Sequence, residues 1–226
     1  MKSNFLSAIL FLHCLSGVAQ LNQRKTIHAN ENLSDYFTWL YPSFEEAGVT
    51  FKTGVSVKYK LNFNTFLCMM EFIDPNGDTL EISNPENIDS IQVHTSTFFF
   101  KDDYFQIIAA VDSLRLVVSR QARFEGVRLG AMGLPARNVS INDYITYSNS
   151  YKKVFQATVN EDLYVHLKTE YFLIDRNGEY MKASKNNFLD LFNDNKKEIQ
   201  NYLKLNKINF NRQGDLEKLF RFCTHT

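Results

Sequence analysis

After the first 19 positions, nothing in the chain approaches the roughly 20 consecutive apolar residues that a membrane helix needs. No His-Glu-x-x-His and no Cys-x-x-Cys occurs, so the common zinc spacings are missing. No Gly-x-Ser-x-Gly elbow offers an activated serine. No Gly-Lys-Ser/Thr follows the glycines, which excludes a phosphate loop. An excess of one charge is missing too. Lys and Arg number 25 against 25 Asp and Glu, which gives no electrostatic case for nucleic acid or a strongly anionic partner. Cysteine is scarce, at three residues, so a densely stapled scaffold is excluded. What is plentiful is apolar and aromatic: 44% hydrophobic residues, with 20 Phe and 11 Tyr, can build a sizeable core without disulfides. The sequence predicts no catalytic residue, no metal and no cofactor.

The N-terminus carries an address. Lys2 precedes an apolar run from Phe5 to Leu15, and the small residues Gly17 and Ala19 follow, which is the pattern of a signal peptide over residues 1–19 cut after Ala19. Cys14 raises lipid anchoring, but Leu12 and His13 stand where that chemistry wants small residues. Export to the periplasm or beyond is expected. Loss of the leader leaves 207 residues with 24 basic and 25 acidic side chains, a formal charge of −1, enough for one large domain or two small ones. Two cysteines remain, Cys68 and Cys223. In an oxidising compartment they could pair, and the long loop closed would make that bond worth about 4 to 5 kcal/mol. The other reading is two buried thiols, and the apolar run FLCMMEFI around Cys68 suits it.

From Val55 to Phe124 the hydrophobic period is mostly two. In VSVKYKLNF, Val55, Val57, Tyr59, Leu61 and Phe63 alternate with Ser56, Lys58, Lys60 and Asn62, a half-buried strand. FLCMMEFI is apolar on both faces and reads as a more central strand. TLEI, SIQV, TFFF, YFQIIAA and LRLVVSRQARF follow, separated by DPNGD, SNPEN and FKDD, which suggests an antiparallel meander.

FIDPNGDTLEIS admits two readings, a calcium loop or a tight hairpin. Asp74-Pro75-Asn76-Gly77 places Asp, Pro and Gly at the first, second and fourth positions of a type I turn with a left-handed glycine bulge. An EF-hand loop would need a Glu about 12 residues from its first ligand and helical flanks. Position 85 is Pro and the flanks are strand-like, so a hairpin is predicted. YFLIDRNGEYMKAS, from Tyr171, repeats the pattern: Asp74 answers to Asp175, and Asn76-Gly77 to Asn177-Gly178. Convergence on good turn chemistry and duplication of a hairpin both account for it.

A section rich in glycine, with Gly126, Gly130 and Gly133, reads as a long loop near 125–150. EDLYVHLKTEYFLI then resumes the alternation, with Leu163, Val165, Leu167, Tyr171 and Leu173 on one face. Beyond Ser184 the period turns helical. Phe188, Leu191 and Phe192, then Ile199, Tyr202 and Leu203, then Leu216, Leu219 and Phe220, recur at i, i+3, i+4. Ser184, Asn193 or Asp194, and Asn211 are the expected caps.

Two features carry binding chemistry. Arg115, Arg120, Arg123, Arg128 and Arg137 fall within 23 residues with Glu125 as the only acid, and guanidinium forks suit the carboxylates or phosphates of an anionic glycan or lipid headgroup. Solvated strand positions explain them more simply. Phe98-Phe99-Phe100 could line an apolar pocket, though a core strand under the helices is the expected role. His166, Lys168 and Glu170 share a strand face, a proton-transfer cluster if buried and a wet outer surface if not.

The stretch GVTFKTGVSVKYKLNFNTFLCMMEFIDPNGDTLEI resembles a pattern found in secreted or periplasmic proteins of Gram-negative bacteria that have no assigned activity. The tail KNNFLDLFNDNKKEIQNYLKLNKINFNRQGDLEKLFRFC is similar to their closing helical segment. The resemblance implies an exported, strand-rich protein and carries over no site residue.

The expected fold is α+β, mainly antiparallel β as a meander, sandwich or partly open barrel, spanning 20–183, with three short helices over 184–226 packed on the sheet. The expected role is that of an exported, non-catalytic cell-envelope protein acting through surface contacts. The alternatives are a carrier holding an apolar or lipid-like ligand in a barrel cavity, and a hydrolase.

Overall fold

The computed structural model describes residues 25–28, 39–126 and 163–225. The segment read as a signal peptide lies outside them, as do Arg128, Arg137 and nearly all of the glycine-containing section. Among the described residues, eleven strands form one antiparallel sheet. They are β1 (Lys25–Ile27), β2 (Glu45–Phe51), β3 (Ser56–Asn64), β4 (Met69–Ile73), β5 (Thr79–Glu81), β6 (Ile88–Val93), β7 (Ser96–Lys101), β8 (Asp103–Val111), β9 (Leu114–Gly126), β10 (Leu163–Ile174) and β11 (Tyr180–Lys182). The lateral order is β1-β10-β9-β8-β7-β6-β2-β3-β4-β5, with β11 also on β10. Two meanders are thus joined where β6 pairs with β2 rather than with β5. Helices α1 (Lys185–Leu191), α2 (Lys196–Leu205) and α3 (Gln213–His225) complete the chain. The fold is α+β and mainly antiparallel β, as its periodicities predict.

The sheet is not flat. Five strand spacings separate β3 from β9, about 24 Å in a planar sheet. Yet the Ala122 N–H of β9 donates to the carbonyl of Thr65, just past β3, at 2.8 Å. Twist and coiling therefore roll the sheet into an open half-barrel. Its inner face holds two cores. Leu61, Phe63, Met70, Ile91, Val93 and Phe98 are in the first, joined by Ala122 and Val165. Leu116, Val118, Tyr171 and Leu173 are in the second, under Phe188, Ile199, Leu216, Leu219 and Phe220 of the helices. A bulge at Asp89 of β6, opposite Thr50 and Phe51 of β2, keeps Ile88 on the same side as Ile91.

Both Asn-Gly corners are hairpins. Gly77 lies at φ +92° and Gly178 at φ +80°. In each, the leading Asp accepts two backbone N–H groups at 2.8 to 2.9 Å: Asp74 from Asn76 and Asp78, and Asp175 from Asn177 and Glu179. Each returns a three-residue strand at an edge of the sheet, one at β5 and the other at β11. Short edge strands resist pairing with other chains.

Several expectations are corrected. FLCMMEFI is not one strand. Phe66 to Cys68 turn the corner between β3 and β4, with Cys68 at φ 55°. The run is apolar because that corner plugs the first core. Phe98 and Phe100 join that core while Phe99 lies in a separate cluster with Phe105, Val117 and Ile174 on the outer face. The triplet is thus buried on both faces, but the helices cover the second core rather than this strand. Cys68 and Cys223 are free and buried in different cores, so no disulfide joins them. Ser184 caps α1, its side chain accepting from Asn187 N–H. A 3-10 turn at Asn193–Asn195 moves the start of α2 past the expected cap. Ahead of α3, Asn209 Oδ1 takes the Asn211 N–H at 2.9 Å in a turn that precedes the helix, and the first-turn N–H groups of Asp215 and Leu216 go to the Arg212 carbonyl. β9 extends through Gly126, so the pleat outlasts the first glycine of the section read as a loop.

Candidate functional site

Alternation along β9 sorts the arginines. Leu116, Val118 and Ala122 face inward, and so does Arg120, which shares their parity. Arg115 and Arg123 face outward, about 27 Å apart along the strand. Arg115 lies 5.3 Å over the Phe99 ring, and Arg123 is exposed. The structure therefore separates the described members of the arginine group and singles out Arg120.

Arg120 sits in a polar seam between the two cores. Thr169 of β10 is directly opposite it. Its Nη1 donates to Gln106 Oε1 of β8. Gln106 Nε2 in turn donates to Ser96 Oγ of β7 at 2.9 Å. Tyr41 bonds to Ser96 from the segment before β2. Tyr171 lies on the helical side, held by the backbone N–H of Gln213. Burial pushes both phenols above their ordinary range, and burial lowers the Arg120 guanidinium. The acids nearest these phenols are turned elsewhere. Glu45 Oε1 takes Ser43 Oγ at 2.7 Å and its Oε2 lies 3.2 Å from His94 Nε2. Glu217 Oε1 takes Gln213 at 2.8 Å and its Oε2 lies 3.8 Å from Arg221. No ion pair to Arg120 occurs among the described residues. The sequence does hold a trace of the seam: Arg120 and Thr169 interrupt the apolar rows Leu116-Val118-x-Ala122 and Val165-Leu167-x-Tyr171-Leu173 at positions that only pairing brings together.

The second feature is an apolar groove of about 600 Å³ at the far end of the first core. Val49, Leu61 and Ile88 form its floor, Phe51, Tyr59 and Phe72 its walls, and Lys52 and Glu81 part of a polar rim. The Tyr59 and Phe72 rings stand 5.3 Å apart. Leu80 is paired across from Phe72, on the same face. Among the described residues five large hydrophobic side chains are exposed, and one of them, Tyr59 at 41%, lines the groove, while Leu80 at 44% adjoins it through its pairing with Phe72. The apolar row of β3 simply runs on beyond the neighbours that cover Leu61 and Phe63.

The hydrolytic elements are in the wrong order. Glu45 stands between Ser43 and His94, so the imidazole does not reach the hydroxyl it would have to deprotonate. His166, Lys168 and Glu170 lie on the outer face. Glu170 is 2.6 Å from Lys168 and 3.6 Å from Lys182, and the Lys168 hydrogen bond holds its carboxyl below the usual range. Among the described residues no group of three or more His, Cys, Asp and Glu is arranged to hold a metal ion, and no helix is long and apolar enough to cross a membrane.

No protein family, no characterised protein and no solved structure is significantly similar to this chain.

Proposed function

We propose that this is an exported, non-catalytic protein of the cell envelope, periplasmic or extracellular, that holds an apolar or lipid-like ligand in the groove beside Tyr59. The export half of the reading is supported by the N-terminal pattern ending at Ala19. The single observation that carries the ligand half is an apolar concavity whose floor of Val49, Leu61 and Ile88 is buried and whose wall includes the exposed Tyr59, with the exposed Leu80 paired to the lining residue Phe72. Exposed apolar side chains scattered singly need no explanation, but an exposed aromatic wall on an apolar pocket of drug-like size does. Transfer of an acyl chain or aromatic group onto such walls is favourable at about 25 cal/mol per Å² removed from water. The groove suits the partly open barrel expected of a carrier, and the ligand would lie in it as in a trough.

The test is native mass spectrometry of the purified protein, followed by titration with a fluorescent long-chain fatty acid. Saturable binding that falls at least tenfold in Tyr59→Asp and Leu80→Asp, but not in Leu205→Asp, is expected. An empty protein that binds no acyl chain, or equal binding by all variants, overturns the carrier reading. That outcome would favour the second reading, in which the same rim contacts another envelope protein.

A further inference from the structure

We infer that the seam around Arg120 is a second, separate binding site, an oxyanion subsite built to take a carboxylate or phosphate group. The groove ligand plays no part in this inference. A guanidinium carries five N–H donors in a rigid fork that matches two oxygens of such a group at once. Gln106 occupies Nη1 of Arg120, and its own amide is fixed by Ser96, so the fork is aimed rather than free to swing. Two further hydroxyls flank it. The Gln213 backbone N–H donates to the Tyr171 oxygen, which leaves the phenolic proton to be given to a ligand. Tyr41 closes the opposite side from Ser96.

Arg120 occupies an inward position between Val118 and Ala122, where an apolar side chain would extend either core. Desolvating a cation is unfavourable unless a counter-charge meets it. The two carboxylates closest to the flanking phenols are both committed, Glu45 to Ser43 and His94, Glu217 to Gln213 and Arg221. An incoming oxyanion would supply the counter-charge that no described acid gives and accept from the fork and from Tyr171. Arg115 and Arg123 cannot contribute, since they face away. The five-arginine group of the sequence thus reduces, within the described residues, to one cation with an oriented polar shell.

Arginine side-chain NMR tests this directly. The purified protein is titrated with sodium phosphate and, separately, sodium acetate, against sodium chloride at matched ionic strength. The Arg120 Nε–H resonance should shift saturably while those of Arg115 and Arg123 stay within the chloride control. Saturation by phosphate alone assigns a phosphate site, and by acetate alone a carboxylate site. Gln106→Leu should weaken binding at least threefold by releasing the fork, and Arg120→Gln should abolish the anion-dependent rise in melting temperature. No saturable shift at Arg120 with either anion, or equal shifts at all three arginines, overturns the site. The arginine comparison needs no variant to fold.

Discussion

Gly77 and Gly178 hold the same left-handed backbone conformation, φ +92° and +80°, in hairpins at different edges of one sheet. Neither position is sterically crowded, since a side chain added at either glycine would meet nothing within 4 Å. The constraint is therefore in the backbone alone. Gly77→Val and Gly178→Val should each destabilise by about 1 to 2 kcal/mol, because a β-branched residue resists positive φ. The corners share no partner, so the double variant should lose about the sum. Urea unfolding midpoints decide it, and unchanged midpoints would remove the turn assignment.

Asn64 holds the corner that plugs the first core. Its Oδ1 accepts from the N–H groups of Phe66 and Leu67 at 3.1 and 3.0 Å, and its Nδ2 donates to Glu71 at 3.2 Å. Asn64→Ala leaves those two buried donors without their acceptor and should cost about 1 to 3 kcal/mol. Faster exchange of both amides should accompany the loss. Asn64→Asp keeps the acceptor but sets a second acid against Glu71, whose carboxyl burial already pushes up. That variant should come closer to the parent at pH 4 than at pH 7.

The thiols should be inert in the folded protein. A disulfide reagent at pH 8 is expected to find neither Cys68 nor Cys223 until denaturant is added, and then both. Burial pushes the Cys223 thiol up to about 12. An unfolded thiol ionises from about pH 8.5 upward. Across the window up to about 12 the unfolded state therefore holds fewer protons, and stability falls as pH rises, by about 2 kcal/mol at pH 10. Cys223→Ala should flatten that part of the alkaline stability profile relative to the parent.

The helices stabilise through their inner face. Leu219 is fully buried in the second core, so Leu219→Ala should cost about 2 to 5 kcal/mol. Leu205, at the end of α2, is 86% exposed. Leu205→Ser should shift stability by no more than about 0.5 kcal/mol. Equal losses at the two positions would contradict the packing of α3 on the sheet.

Much of this architecture is legible in one dimension. Tyr59, Leu61 and Phe63 alternate because a pleated strand has a period of two, and Leu216, Leu219 and Phe220 keep helical spacing because they share one apolar stripe of α3. Asp-x-Asn-Gly signals its hairpin through local chemistry, an acid accepting nearby N–H groups and a glycine tolerating positive φ. The corner at Cys68 and the turns at His94, Asp102 and Asp112 put non-glycine residues at positive φ. Asp and His tolerate that conformation better than most residues, but without glycine their sequences give a weaker turn signal.

The sequence by itself determined the classes of element, their order, the two hairpins and the apolar faces, since all of these follow from contacts within a few residues. Only the tertiary structure decided that the sheet rolls until Thr65 meets Ala122, that Cys68 and Cys223 lie in separate cores, and that Arg120 turns inward while Arg115 and Arg123 turn out. Those outcomes depend on strand order and register. A shift of one residue along β9 would exchange its inner and outer faces and leave the sequence unchanged.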